Sequence, residues 1–135
     1  MDNQNLKFDF VFLGQSVLKY QVPLDIFTTI NQIYEHNFHN LERANVQLVG
    51  KIENEHSLFY HGKDQIKMKN HNMLPRNVTD YFMSIFNHYL AFNKIKDYDT
   101  HLNSIWVNEM KQHEYNPAHI HRGMLFTGLS SVMIL

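Results

Sequence analysis

The sequence predicts an α+β fold in which helices buttress a β-sandwich, and three observations lead there. β-rich runs open and close the chain, two amphipathic helical stretches lie between them, and no repeat, low-complexity segment or linker divides the 135 residues. Helices grouped ahead of a sheet, without strict alternation with strands, is the α+β pattern. The length fits a single domain spanning residues 1–135, and a domain near that size buries roughly two-thirds of the surface its unfolded chain exposes.

Taking the elements in order, Phe8–Leu13 and Val17–Val22 are rich in aromatic and β-branched residues and flank Gly14-Gln15-Ser16, which predicts an opening hairpin. Beyond Pro23, residues Ile26, Phe27, Ile30, Ile33 and Tyr34 fall at helical spacing, with Asp25 in the first turn where the helix dipole favours negative charge. The first helix is therefore Leu24 to Asn37. Val46–Leu58 breaks its apolar pieces with Gly50 and charges and reads as irregular with one short strand. Val78, Phe82, Ile85, Phe86, Tyr89 and Leu90 then repeat at three and four, predicting a second helix over Asn77–Asn93 with Asn77 or Thr79 as its N-cap.

His101–Gln112 alternates, placing Ser104, Trp106, Asn108 and Met110 on one face of a strand and Ile105, Val107, Glu109 and Lys111 on the other. Tyr115-Asn116-Pro117 predicts a turn, since proline lacks a donor and drives its predecessor out of the helical region. His119 to Leu135 restarts as strand, with breaks at Gly123 and Gly128, and Ser130-Ser131 reads as sheet core.

Composition narrows the function. Hydrophobic residues at 44% and charged residues at 19% describe a globular chain, and a net charge of -1 argues against a nucleic-acid partner, which requires clustered Lys and Arg. The chain has no cysteine, so disulfides, thiolate nucleophiles and Cys-based metal sites are excluded. A metal would have to be held by His, Asp, Glu or water. No segment reads as a signal peptide or reaches the roughly 20 apolar residues of a membrane span, so the expected setting is soluble and cytoplasmic. There is no strand-turn-helix elbow for a nucleophilic serine, and the five glycines form no phosphate loop.

Of ten histidines, most read as ordinary. His36 and His39 end the first helix, where imidazoles meet terminal carbonyls. His56, His61, His71 and His88 read as surface residues. His119 and His121 differ. On a strand, side chains at i and i+2 point to the same face about 6.5–7 Å apart at the backbone, so two rings can converge on one metal. Chance also produces such pairs in a histidine-rich chain. A third ligand would be needed, and His113, Glu109 and Glu114 are the nearest candidates in sequence.

The strings Ser104–Met110, Tyr115-Asn116-Pro117-Ala118-His119-Ile120-His121 and Gly128–Leu135 resemble the 2-oxoglutarate/Fe(II)-dependent oxygenases common in phage genomes. Those proteins carry a tryptophan strand, an asparagine-proline turn, a His-x-His strand start and then a small-residue strand. Leu48–His56 also looks like a segment of the phage members, and the specific part of the resemblance lies between Trp106 and Leu135.

The resemblance implies a double-stranded β-helix, or jelly roll, with N-terminal helices packed on it and an iron site inside. His119 matches the first metal ligand, and His121 stands where the superfamily carries Asp or Glu. Fe(II) and 2-oxoglutarate are the implied cofactors, with Trp106, Asn108 and Tyr115 as the expected lining of the cosubstrate pocket. The strands bearing a distal histidine and a cosubstrate arginine lie, in the family, after the counterpart of Leu135. The expectation is therefore an N-terminal portion of an oxygenase, inactive alone, in the host cytoplasm if phage-encoded. Its apolar C-terminal strand is expected to pair with a second copy or a partner chain. Two other readings stand beside it: a jelly-roll-like assembly protein without catalysis, and a cupin-like Zn or Mn site protein.

Overall fold

A computed structural model of the chain describes residues 7–12, 16–41, 50–60, 73–117 and 128–134. Among them the order is β1 (Phe8–Phe12), β2 (Ser16–Tyr20), α1 (Leu24–Asn37), a 3-10 turn at Phe38–Asn40, β3 (Asn54–Tyr60), α2 (Arg76–Phe92) and β4 (Ser104–Glu109). The fold is α+β, with two antiparallel two-stranded sheets, β1-β2 and β3-β4. A jelly roll is not present among the described residues. No described helix is long and apolar enough to cross a membrane.

The chain divides into two compact units, with the boundary inside α1 after Ile30: one holds residues 1–30 and 75–102, the other 31–74 and 103–135. In the first, β1 pairs with β2 from Phe8↔Tyr20 to Phe12↔Ser16, as the opening aromatic run predicts. The hairpin fastens to α2 through polar and aromatic contacts. Tyr20 Oη lies 2.7 Å from His88 Nδ1, Phe8 meets the His88 ring edge-on at 4.8 Å, and Phe10 lies 5.6 Å from Phe92. Ser16 Oγ donates to Asn93 Oδ1, and Tyr89 Oη donates to the Ser16 carbonyl at 3.0 Å. The buried apolar residues of this unit are Ile26 and Ile30 of α1 and Val78, Tyr81, Phe82, Ile85 and Leu90 of α2. These fall on the stripes that helical periodicity marks.

α2 begins one residue ahead of its predicted start. Its N-cap is Pro75, whose carbonyl accepts from Val78 and Thr79, while the Thr79 hydroxyl donates to the Arg76 carbonyl and caps nothing. Neither Asn77 nor Thr79 is the cap, because proline's fixed φ and missing N–H suit the helix entrance. At the far end Lys94 takes a left-handed φ of 57°. Ile95 N–H donates to Leu90 and Lys94 N–H to Ala91, both at 3.0 Å, closing a Schellman motif.

In the second unit β3 pairs with β4 from Asn54↔Glu109 to Tyr60↔Ser104, with a register shift between Ser57 and Phe59. Leu58, the extra residue, is fully buried, and its carbonyl accepts from Met73 N–H at 3.0 Å. Leu41, Ile52 and Leu74 complete the buried apolar set. β3 is thus a seven-residue strand where the sequence suggested mostly irregular chain. Its first residues are polar yet buried, Glu55 at 4%, His56 at 5% and Ser57 at 4% exposure, which hides the alternation a strand normally displays.

An isolated antiparallel bridge continues the ladder: Lys51 N–H donates to Tyr115 O at 2.9 Å, and Tyr115 N–H to Lys51 O at 3.0 Å. A glycine is required next to it. A Cβ on Gly50 would stand 2.6 Å from Tyr115 O, 2.8 Å from Pro117 Cδ and 3.2 Å from Asn116 Cα. The segment Gly128–Ile134, predicted as strand, is neither helix nor strand, and Ser130 and Ser131 are exposed, so they are not sheet core. Its β-propensity has no described partner strand to act on.

Candidate functional site

The residues singled out by the sequence gather around β4 and the turn that follows it. Cross-strand register puts Trp106 opposite Ser57 and Asn108 opposite Glu55, so these four share one face of the β3-β4 sheet. Trp106 is 36% exposed and Asn108 is exposed, beside the buried Glu55 and Ser57. Tyr115 lies beyond the strand on the Lys51 bridge and is 57% exposed. Trp106 and Asn108 therefore stand together, while Tyr115 belongs to the turn. His119 and His121 lie outside the described residues.

The opposite face carries a cluster that sequence reading missed. Tyr34, from the end of α1, donates to Glu109 Oε2 at 3.2 Å, and Asn54 Nδ2 donates to the same oxygen at 3.3 Å. The ring of buried His56 lies 4.6 Å from Phe38 and 6.1 Å from Tyr34. Burial, reinforced by the Glu109 charge and hydrogen bond, pushes the Tyr34 hydroxyl up to about 12. Phe38, His39, Leu41, Asn54 and His56 line an open depression of about 210 Å³. His56 is therefore a core histidine in an aromatic setting and not the surface residue expected. His88 is likewise part-buried and held by Tyr20. His36 behaves as predicted, its Nδ1 lying 2.7 Å from the Gln32 carbonyl.

The turn after β4 is tied down by charge and by backbone. Glu114 Oε1 accepts from Glu53 N–H at 3.0 Å and Oε2 from Lys111 N–H at 2.7 Å. Glu114 N–H donates to the Lys111 carbonyl at 3.0 Å, closing a turn in which His113 adopts a φ of 69°. Lys111 Nζ reaches Glu53 Oε2 at 3.0 Å, an exposed ion pair whose hydrogen bond and charge raise the lysine pKa.

Among the described residues there is no group of three His, Asp or Glu able to hold a metal. Glu109 is bonded to Tyr34 and Asn54, Glu114 spans two backbone amides, and His113 is exposed; the histidine pair that one of them would complete lies outside the described residues. Comparisons with protein-family models, curated proteins and solved structures give no match.

Proposed function

We propose that the chain is of the 2-oxoglutarate/Fe(II)-dependent oxygenase type, with His119 and His121 supplying imidazole ligands to iron. The observation that carries this reading is the sequence pattern from Trp106 through His119-Ile120-His121, which resembles the phage oxygenases in order and in residue type. Two neutral imidazoles suit Fe(II), and non-haem iron sites combine such ligands with positions left open to cosubstrate and dioxygen. In this reading Trp106 and Asn108, side by side on β4, and Tyr115 on the turn line the cosubstrate pocket. Bound iron and 2-oxoglutarate would supply oxidation of a C–H bond; the chain's own residues would bind and orient.

Supporting the reading is a well-defined strand at Ser104–Glu109 followed by an anchored turn, in the order the resemblance expects ahead of the His-x-His motif. The reading includes association with a second copy or a partner through the apolar C-terminal segment, where Val132 is 92% and Ile134 89% exposed. Those same exposed side chains favour the second reading, an assembly protein in which the histidines are incidental.

Anaerobic titration with Fe(II) and 2-oxoglutarate separates the two. The oxygenase reading expects a weak visible charge-transfer band that is lost in His119→Ala. Absence of the band together with robust self-association would favour assembly.

A further inference from the structure

We propose that the depression between the 3-10 turn and the start of β3 binds a small organic ammonium ion, drawn by the Phe38 ring and by the charge of Glu109. The site shares no residue with the cosubstrate pocket of the oxygenase reading and stands independently of it. Its lining joins aromatic surface to hydrogen-bond acceptors. Half-buried Phe38 has three aromatic neighbours, Tyr34 at 5.6 Å and 86°, His39 at 5.4 Å and 84°, and His56 at 4.6 Å and 54°. None lies parallel on it, so the rings form a box and not a stack. Leu41 and His56 are buried and supply fixed walls. Asn54 commits its amide nitrogen to Glu109 Oε2 at 3.3 Å, which leaves Oδ1 as an acceptor. At about 210 Å³ the depression is smaller than the roughly 300–1,000 Å³ of sites for drug-sized ligands, so its occupant is a molecule of few atoms.

Charge decides the class of that molecule. Glu109 accepts from two neutral donors, the Tyr34 hydroxyl at 3.2 Å and the Asn54 amide, and among the described residues it forms no ion pair. Lys111, whose ammonium feels the fields of Glu53, Glu109 and Glu114, is held by Glu53 Oε2 at 3.0 Å. Three carboxylates around one ammonium favour a cation over an anion. A bare metal ion would need a denser donor set, and no group of three His, Asp or Glu exists among the described residues. An ammonium carrying carbon substituents satisfies every part of the lining. Its charge attracts Glu109 and the negative face of an aromatic ring, while its carbon atoms cover Phe38 and Leu41.

The test titrates choline and its uncharged isostere, 3,3-dimethyl-1-butanol, into the full chain at pH 8, where imidazole is ordinarily neutral. The ring-proton NMR signals of Phe38 and His56 are the readout. Choline should shift them saturably and bind about tenfold more tightly than the alcohol, since only the cation gains from ring and carboxylate. Phe38→Leu keeps an apolar side chain without the ring and should weaken choline about tenfold while leaving the alcohol nearly unaffected. Glu109→Gln keeps the shape, should weaken choline about threefold, and should flatten the dependence of its affinity on salt. Glu109 is exposed, so this variant serves even where Phe38→Leu fails to fold. No saturable shift with choline would overturn the proposal. So would equal affinity for the alcohol, which would make the depression merely apolar, or unchanged choline binding in folded Glu109→Gln.

Discussion

Replacing Gly50 by alanine probes the joint between the Lys51 bridge and the turn at residues 115–117. The added methyl would lie 2.6 Å from Tyr115 O, whereas ordinary contact begins at 3.4 Å, and the other close neighbours, Pro117 Cδ and Asn116 Cα, belong to the same turn. Two of the three are backbone atoms, so relief requires the turn to move away by about 0.8 Å, the difference between those distances. That displacement would stretch the 2.9 Å bond from Lys51 N–H to Tyr115 O to about 3.7 Å, beyond hydrogen-bonding range. Its companion, at 3.0 Å, belongs to the same bridge. Each such bond is worth about 0.5–1.5 kcal/mol net, so the substitution should cost about 1–3 kcal/mol in all. Urea unfolding of both proteins measures that difference, and amide exchange at Lys51 and Tyr115 should become fast in the variant. Wild-type stability with slow exchange at both amides would refute the close approach and the bridge together.

Further outcomes follow from other parts of the structure. Leu58→Ala empties a fully buried position at the β3 bulge and should cost about 2–5 kcal/mol by urea titration; a cost well under that range would mean the bulge collapses around the space. Lys94→Gly relieves a left-handed lysine at the end of α2 and should raise stability by about 0.5–1 kcal/mol, seen as a higher urea midpoint; a lower midpoint would contradict the Schellman geometry. Tyr20 and Tyr34 are both pushed up to about 12, mainly by burial. Between the unfolded value of 10.0 and about 12 the folded chain keeps protons that the unfolded chain releases, so their contribution is intact below pH 10 and is lost as pH rises through about 12. Tyrosinate absorbance at 295 nm, followed with unfolding, should show these two ionising late, and Tyr34→Phe should remove one late titration.

The parts of the fold that were legible are those whose signals are local. α1 runs from Leu24 to Asn37 as the spacing of Ile26, Ile30, Ile33 and Tyr34 requires, because Pro23 precedes it and an amphipathic stripe persists throughout. β4 shows its period directly. β3 does not, since Glu55, His56 and Ser57 are polar residues inside the protein and the bulge at Leu58 shifts the phase halfway along. Tertiary partners were illegible for a related reason: nothing beside Glu109, a candidate third ligand in the sequence, announces Tyr34, which donates to it from 75 residues away. His88 and Tyr20 are separated by 68 residues, and nothing near either announces the other. At Gly128–Ile134, β-propensity overstated the case, because a strand exists only where a neighbour completes its hydrogen bonds. Of the candidate site, Trp106 and Asn108 were correctly placed on one face of a strand, and the anchoring role of Glu114 was not foreseen.

Iron ligation by His119 and His121, as proposed, is open to a direct test by X-ray absorption at the iron edge of the anaerobic Fe(II)-loaded chain. An imidazole scattering signature is expected, weakening in His121→Ala and again when His119→Ala is added. Purely oxygen ligation, unchanged by either substitution, would contradict it.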